Sequence, residues 1–267
     1  MRAAYLALIV LGTVATARAQ TYSPSPLPAS TSAPAMREQA KMRAIVERFH
    51  RGLAAMNAHD WTSARVEFDA ALQLQPPEPQ GSTAAYDEGI ADAALGHLDD
   101  AASDFRMALS RDGTFLAAMA NLIAVDLRRN DLNEARAVAG RFVALAPGSA
   151  RAHYSRGLAA LAANDLHTAK DDFSQLLRTD PRYAVAHYDL GVTNVRLGDY
   201  TSAESEFTIA LQLAPSYARA RFALGTCLLH FGDRTGARAA FDRVVRDASG
   251  DPALRDLALE MRNAIVH

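Results

Sequence analysis

The chain has 267 residues, and 28 lysines and arginines stand against 30 aspartates and glutamates, which gives a net charge of −2. A near-neutral charge provides no general attraction for nucleic acid, and the share of apolar residues, 49%, excludes a disordered chain. The sole cysteine, Cys227, excludes an intramolecular disulfide and a thiolate metal cluster.

The first nineteen residues are typical of a cleavable signal peptide. Arg2 supplies a positive charge, residues 3–14 are almost entirely apolar, and Ala17-Arg18-Ala19 matches the small residues at a cleavage site. The apolar run is shorter than the roughly 20 residues of a membrane span, although an uncleaved anchor is the alternative. No cysteine follows the small residues, so no lipid can be attached there. Residues 1–19 therefore predict a periplasmic or secreted protein without stable membrane insertion after cleavage.

Residues 20–35 are rich in proline, serine, threonine and alanine. Such a segment cannot bury enough apolar area to offset the entropy lost on ordering, so it is predicted to be a disordered linker. From Met36 onwards the sequence has the pattern of amphipathic helices.

A motif recurs six times, with a spacing of 34 residues except for 37 between the first two copies. Its first element is small in five copies: Gly52, Gly89, Ile123, Gly157, Gly191 and Gly225. Its second element is an alanine twelve residues later: Ala64, Ala101, Ala135, Ala169, Ala203 and Ala237. Its third is a phenylalanine four residues further on, with alanine in the third copy: Phe68, Phe105, Ala139, Phe173, Phe207 and Phe241. We expect the small residues at the first two positions, such as Gly191 and Ala203, to face each other between two close helices.

Between these elements each copy carries a helix-breaking pair: His59-Asp60, Gly96-His97, Asn130-Asp131, Asn164-Asp165, Gly198-Asp199 and Gly232-Asp233. Glycine and asparagine tolerate the left-handed conformation that ends a helix, and aspartate favours the start of the next helix. The pattern predicts six helix–turn–helix repeats within residues 36–251, at 45–78, 82–115, 116–149, 150–183, 184–217 and 218–251. A further amphipathic pattern predicts a capping helix at 252–267.

The fifth repeat resembles the tetratricopeptide repeat family, through His187-Tyr188-Asp189-Leu190-Gly191, Leu197-Gly198-Asp199-Tyr200, Ala203, Phe207 and Pro215. The resemblance extends over residues 45–251 and implies an all-α, right-handed superhelical solenoid whose concave wall is lined by the first helix of each repeat. We call that helix A and its partner helix B. The sequence departs from the family in lacking the usual tryptophan in helix A. In the third repeat, Ile123 and Ala139 exchange the large and small positions, so that its two helices are expected to pack at a different distance or angle.

No catalytic motif is recognisable, so neither an enzymatic activity nor a cofactor or metal is predicted. His153 and His187 occupy equivalent positions, and two interpretations are open. They form a metal or acid–base pair, or they pack where the family usually carries tryptophan. Cys227 lies within an apolar helix and is interpreted as a packed thiol.

The resemblance places a partner-binding surface on the A helices, and the residues predicted to line it are Phe49, Tyr86, Arg128, Arg151, Tyr154, Leu158, Tyr188, Val192, Arg196, Arg219 and Phe222. In one interpretation the aromatic rings anchor an extended peptide and the arginines bind its carboxylates. In the other, the rings pack between repeats and the arginines are only solvated.

Two functions follow from this surface. The first is a non-catalytic scaffold or adaptor of the cell envelope that binds a protein or an extended peptide. The second is a glycan-binding scaffold for polysaccharide or peptidoglycan, in which the rings stack on sugars. The aliphatic residues beside the aromatic column favour the first.

Overall fold

The structure is a computed structural model that describes residues 32–247 and 250–265, within which all regular structure is α-helical. Residues 1–19 and most of the predicted linker lie outside this part. The chain divides into two compact units, Met1–Leu145 and Ala146–His267. Unit 1 contains α1 (Ala33–Asn57), α2 (Trp61–Gln73), α3 (Gln80–Leu95), α4 (Leu98–Arg111), α5 (Leu116–Arg129) and α6 (Leu132–Leu145). Unit 2 contains α7 (Ala150–Ala162), α8 (Leu166–Thr179), α9 (Ala184–Leu197), α10 (Tyr200–Leu213), α11 (Ala218–His230), α12 (Arg234–Asp247) and α13 (Pro252–Ala264).

Each unit is built from three helical hairpins. Helices α1, α3, α5, α7, α9 and α11 are the A helices, and each packs against the B helix that follows it. Within a unit, each B helix also packs against the A helix of the next hairpin. The predicted all-α fold of consecutive helix–turn–helix repeats is therefore confirmed.

The first helix begins earlier than the sequence predicted. Helix α1 starts at Ala33, so that residues 33–35, assigned above to a disordered linker, form its first turn. Proline is compatible with this position because the first amides of a helix have no intrahelical acceptor, and Pro34 therefore costs no hydrogen bond. Ile45 is fully buried and holds the long helix against the core.

The turns inside the hairpins use the residues that the sequence pattern indicated. Asn130, Asn164, Gly198 and Gly232 all have positive φ, between 61° and 83°. In five hairpins the aspartate that follows accepts a hydrogen bond from a backbone N–H in the first turn of helix B, and these residues are Asp60, Asp131, Asp165, Asp199 and Asp233. The second hairpin differs because His97 replaces the aspartate and makes no such cap.

In five of the six hairpins a glycine of helix A makes room for a phenylalanine ring of helix B. A Cβ atom added at Gly191 would lie 2.6 Å from Cε1 of Phe207, which is fully buried. The same contact recurs in the other hairpins that carry this pair, with distances of 2.7–2.8 Å. The sequence predicted that Gly191 faces Ala203, but the atoms nearest to a Cβ added at Gly191 belong to the ring of Phe207. A ring lies flat over the glycine, because only a residue without Cβ leaves space for it.

The third hairpin fills the same place from the opposite helix. Ile123 on α5 is 1% exposed, and Ala139 on α6 is fully buried. The bulky side chain thus comes from helix A where the other hairpins take it from helix B. The large residue stands on helix A and the small one on helix B, so that one large apolar side chain is still present between the two helices. The expected change in the packing of these two helices stays a prediction.

Helix α13 packs on the last hairpin. Asp251 caps its N-terminus by accepting a hydrogen bond from the backbone N–H of Leu254. Ala258 is fully buried and belongs to one cluster with Phe241 and Val244 of α12, and Met261 packs at its edge. One apolar face of α13 therefore covers α12.

Candidate binding surface on the A helices

The aromatic residues predicted to line a binding surface are part of the hairpin packing. Tyr86, Tyr154 and Tyr188 are only 6–8% exposed, and Phe49 and Phe222 are half-buried. Each ring packs against the phenylalanine of its own helix B, with centroids 5.2–6.0 Å apart, as in Tyr188–Phe207. Of the two interpretations left open by the sequence, the structure supports packing for the three tyrosines, because a peptide cannot reach buried ring faces.

A second set of aromatic residues completes this packing. Tyr154 contacts Tyr183 with ring centroids 5.4 Å apart, and Tyr188 contacts Tyr217 at 5.1 Å. Each partner belongs to the turn before the next A helix, and Phe115 occupies the equivalent place in unit 1. The sequence analysis missed these three residues, although Tyr183 and Tyr217 share the 34-residue spacing that could have revealed them.

A buried carboxyl group lies at the centre of the aromatic cluster in unit 2. Asp189 is 3% exposed and accepts a hydrogen bond of 2.9 Å from the hydroxyl of Tyr154. Burial raises the pKa of Asp189 to about 7, against the lowering effect of that hydrogen bond. Burial also raises the pKa of Tyr217, and Asp189 adds to the rise. This group was not predicted, since an aspartate on a polar-looking helix face carries no sequence signal of burial.

The pKa of Asp189 predicts how the stability of unit 2 depends on pH. An unfolded aspartate has a pKa of about 4, so between about pH 4 and pH 7 the folded state holds a proton that the unfolded state releases. Stability therefore falls as the pH rises through this window, by up to about 4 kcal/mol in all. The side chain in Asp189→Asn is neutral at every pH, so this variant should lack the pH dependence that Asp189 causes. We expect it to be more stable than the wild type at pH 8 but not at pH 4.

Thermal unfolding at pH 4.5, 6 and 8, with hydrogen exchange to follow α7–α10, measures this effect. Asp171→Asn on α8 removes an exposed carboxyl group from the same unit and is the matched control. An unchanged pH profile in Asp189→Asn would show that Asp189 is ionised throughout.

The predicted arginines occupy different environments. Arg128 in unit 1 and Arg151 in unit 2 are exposed. Arg196 donates hydrogen bonds of 2.7 Å to the carbonyl oxygen of Leu161 and to the side chain of Asn164. It thereby satisfies a backbone acceptor at the C-terminus of α7. This structural role is neither of the two interpretations considered above, which were binding of peptide carboxylates and solvation alone. Arg219 lies 3.5 Å from the carboxylate of Asp251.

Comparison with known proteins decides the family. A model described as Tetratricopeptide repeat matches residues 49–117, 124–184, 156–215 and 188–252. The chain belongs to the tetratricopeptide repeat family. Among curated proteins none matches this sequence.

Solved tetratricopeptide structures share the fold. A tetratricopeptide repeat protein from Parabacteroides merdae is similar with a TM-score of 0.70 and 16% identity, over 84% of this chain and 94% of that one. A segment of MamA from Desulfovibrio magneticus RS-1 has a TM-score of 0.60 and 25% identity, over 65% of this chain and 97% of that one. YrrB, described as a TPR protein with an unusual peptide-binding site, has a TM-score of 0.58 and 19% identity, over 72% and 97%.

The histidines that replace the family's tryptophan are structural. Nδ1 of His153 lies 2.7 Å from the carboxylate of Asp172 on α8, and its Nε2 lies 2.9 Å from the carbonyl oxygen of Pro147. His187 repeats the arrangement with Glu206 at 2.6 Å and Pro181 at 3.0 Å. Because both ring nitrogens are occupied, each histidine joins helix A to helix B and to the preceding turn. The packing interpretation therefore describes them.

Cys227 is fully buried, and burial raises the pKa of its thiol to about 11. A protonated, inaccessible thiol is not a nucleophile, which agrees with its interpretation as a packed residue. Tetratricopeptide repeat proteins are generally scaffolds without catalytic activity. Among the described residues, no helix has the length and apolar character needed to cross a membrane.

Although Tyr154 and Tyr188 are buried, other side chains on the A helices of unit 2 are accessible. We define the unit 2 A-surface by the side chains that remain wholly or partly exposed on α7, α9 and α11: Arg151, Leu158, Val185, Val192, Arg196 and Arg219. Five of these were predicted, and Val185, 37% exposed, is added. Phe222 packs instead in the cluster with α12 and α13, while Phe49, Tyr86 and Arg128 belong to unit 1.

Proposed function

We propose that this tetratricopeptide repeat protein is a non-catalytic adaptor that binds an extended, acidic segment of a partner protein on the unit 2 A-surface. The observation that carries the proposal is a charge asymmetry. The only acidic residue within α7, α9 and α11 is Asp189, which is buried, whereas five arginines lie there: Arg151, Arg156, Arg196, Arg219 and Arg221.

Arg156 is paired with Asp172, and Arg196 and Arg219 are the arginines whose described contacts leave donors for a ligand. Each guanidinium carries five N–H groups, and Arg196 uses two nitrogens for Leu161 and Asn164. Among the described residues Arg219 makes an ion pair of 3.5 Å with Asp251, and its side chain is 29% exposed. Carboxylates of a peptide therefore find bidentate donors on this surface.

The apolar part of the surface suits peptide side chains. Leu158 and Val192 are half-buried and occupy equivalent positions on α7 and α9, and Val185 lies at the start of α9. Aliphatic contacts of this kind supply affinity, while the arginines supply orientation and partner choice. The peptide-binding site named for YrrB, a protein of the same fold, supports this use of the fold.

The glycan-binding alternative is not adopted. Stacking on sugars needs accessible ring faces, and Tyr86, Tyr154 and Tyr188 are at most 8% exposed. We further propose that the adaptor acts outside the cytoplasm, which is supported by the signal-like residues 1–19 and by nothing else in the chain.

The test begins with a photo-crosslinking amino acid at Val192, and the same group at Thr208, an exposed residue of helix B, is the control. The expected result is a discrete crosslink to an envelope protein from Val192 alone. A peptide covering the crosslinked segment should then bind the purified protein, and Arg151→Ala should weaken its binding by about 1 kcal/mol or more. This loss should shrink at high salt because screening already weakens the attraction.

Arg238→Ala on α12 removes the same charge from an exposed position on helix B and should change the affinity by less than about 0.5 kcal/mol. Equal losses in the two variants would contradict a binding site on the A helices. Binding of purified peptidoglycan or polysaccharide, with no bound peptide, would favour the glycan-binding function instead.

A further inference from the structure

One position on helix B, directly before the core phenylalanine, carries an acid in four of the six repeats: Glu67, Asp104, Asp172 and Glu206. In three of them helix A of the same hairpin supplies a basic partner. Glu67 pairs with Arg48 at 2.9 Å and with Arg51 at 3.1 Å. Asp172 pairs with His153 and Arg156, each at 2.7 Å, and Glu206 pairs with His187 at 2.6 Å.

The second repeat breaks this rule. The positions that hold Arg48 and Arg51 in the first repeat hold Ala85 and Glu88 here. Asp104 therefore meets a carboxyl group where its counterparts in the first and fourth repeats meet an arginine. Asp92, one turn after Glu88 on α3, adds a third acid. An alanine and an acid thus stand where the first repeat has two basic partners, and a further acid lies beside them.

The three carboxyl groups converge in the core of the hairpin. One oxygen from each of Glu88, Asp92 and Asp104 lies within 4.8 Å of the others, and these residues are 8%, 1% and 9% exposed. The Oδ2 atom of Asp104 is buried and has no hydrogen-bond partner. A buried carboxylate oxygen without a partner is costly, and the carboxyl group to which it belongs has an oxygen within 4.8 Å of those of Glu88 and Asp92.

The positive charge beside the cluster is insufficient. Arg65 contacts Asp92 at 3.0 Å and also lies 3.6 Å from Asp100. His97 contacts the same Asp92 through Nδ1 at 2.9 Å. Both groups therefore make their hydrogen bonds to Asp92, and among the described contacts neither makes one to Glu88 or Asp104, although the charge of Arg65 also acts on those two groups.

We infer that Glu88, Asp92 and Asp104 bind one divalent cation of the oxygen-preferring class, to which Ca²⁺, Mg²⁺ and Mn²⁺ belong. Glu88 and Asp104 offer four carboxylate oxygens, and Asp92, whose two oxygens also contact Arg65 and His97, adds its remaining lone pairs. Carboxylate oxygens are the donors that these ions prefer. The unpartnered Oδ2 of Asp104 becomes a ligand. His97 holds Asp92 from the outside, as hydrogen-bonded neighbours of ligands commonly do.

The position of His97 fits this role. The other five repeats have a helix-capping aspartate at the equivalent place, whereas the ring of His97 turns back towards Asp92. His97 and Asp100 are exposed, and with Asp92 they form a second group whose atoms lie within 4.8 Å of one another. This exposed pair provides the route by which an ion reaches the buried carboxylates. The bound ion would join α3 to α4, and so replace the salt bridges of the other repeats.

The test uses residues 20–267, freed of metals by chelation and titrated with CaCl2, MgCl2 and MnCl2. We expect one ion bound per chain by calorimetry and a rise in melting temperature, together with loss of the free Mn²⁺ spectrum in electron paramagnetic resonance. Removing groups that only hold ligands in place often weakens metal binding about 10–100-fold. Glu88→Gln and Asp104→Asn, which remove ligands, should therefore weaken it at least about tenfold.

Two further variants make the outcome decisive. Asp99→Asn removes an exposed carboxylate from the same helix and should bind the ion as the wild type does. Glu88→Arg restores the residue that the first and fourth repeats carry, so it should abolish ion binding and yet melt above the ion-free wild type. The proposal is overturned if none of the three ions binds, if Glu88→Gln binds as tightly as the wild type, or if acidification alone stabilises the protein while added ions have no effect.

Discussion

Replacing Tyr188 by alanine is expected to destabilise unit 2 by about 3–5 kcal/mol, the range found for the loss of buried aromatic side chains. Its ring is 6% exposed and packs between Phe207 and Tyr217, with centroids 5.9 and 5.1 Å away. Alanine would leave a cavity that two flanking rings cannot fill. Hydrogen exchange of α9–α12 measures the loss, because each hairpin depends mainly on its neighbours.

Val185→Ala is the control for this prediction. It shortens a side chain on the same helix that is 37% exposed, and should change stability by less than about 0.5 kcal/mol. The folded fraction of Tyr188→Ala should bind the partner peptide with nearly unchanged affinity. A variant of wild-type stability that has lost peptide binding would instead make Tyr188 a binding anchor and contradict its place in the core.

Replacing Gly191 by alanine should destabilise the fifth hairpin by about 1–3 kcal/mol, although alanine is the better helix former. The new Cβ would lie 2.6 Å from the ring of Phe207, which is fully buried and cannot move aside. Gly140→Ala on α6 is the matched control, since no atom lies within 4 Å of its added Cβ. That change should stabilise the protein by about 0.5–1 kcal/mol.

The third hairpin suggests a rescue for the same site. Gly191→Ile combined with Phe207→Ala reproduces the pair formed by Ile123 and Ala139, which the chain already uses. Phe207→Ala alone should cost about 3–5 kcal/mol through a cavity. The double variant should cost clearly less than the two single changes together, because the isoleucine fills the space left by the ring. Additive costs, measured by denaturant unfolding and hydrogen exchange, would mean that the two positions do not share one space.

The fold could be predicted from the sequence because its signals are local. Left-handed residues such as Asn164 and Gly198 end a helix by their own backbone preference, and aspartates such as Asp165 and Asp199 cap the next helix within three residues. Each of these local signals is weak in a single repeat, but their recurrence every 34 residues makes the prediction of a repeat fold strong. The exchange of the large and small positions in Ile123 and Ala139 could also be recognised in the sequence. The packing of a phenylalanine ring directly over each glycine could not.

The binding surface could be predicted only in part. The resemblance gives each residue its place in the repeat, and of the residues it assigned to the surface Arg151 is exposed while Leu158 and Val192 are half-buried. It also put Tyr154 and Tyr188 on the same face. Their burial depends on Tyr183 and Tyr217, which reach them from the turn before the next repeat and cover the rings.

Apart from the start of the first helix, the sequence by itself determined where the turns between helices lie, which residues are small and which face of each helix is apolar, because these properties depend on neighbours within a few positions. The tertiary structure alone decided contacts between residues far apart in the chain. Tyr154 meets Asp189 across 35 residues, and the carboxyl groups of Glu88 and Asp104 come together from different helices. Side chains at the edge of an apolar stripe are covered or exposed according to the position of the neighbouring helix, and that position depends on how all the side chains between two helices pack.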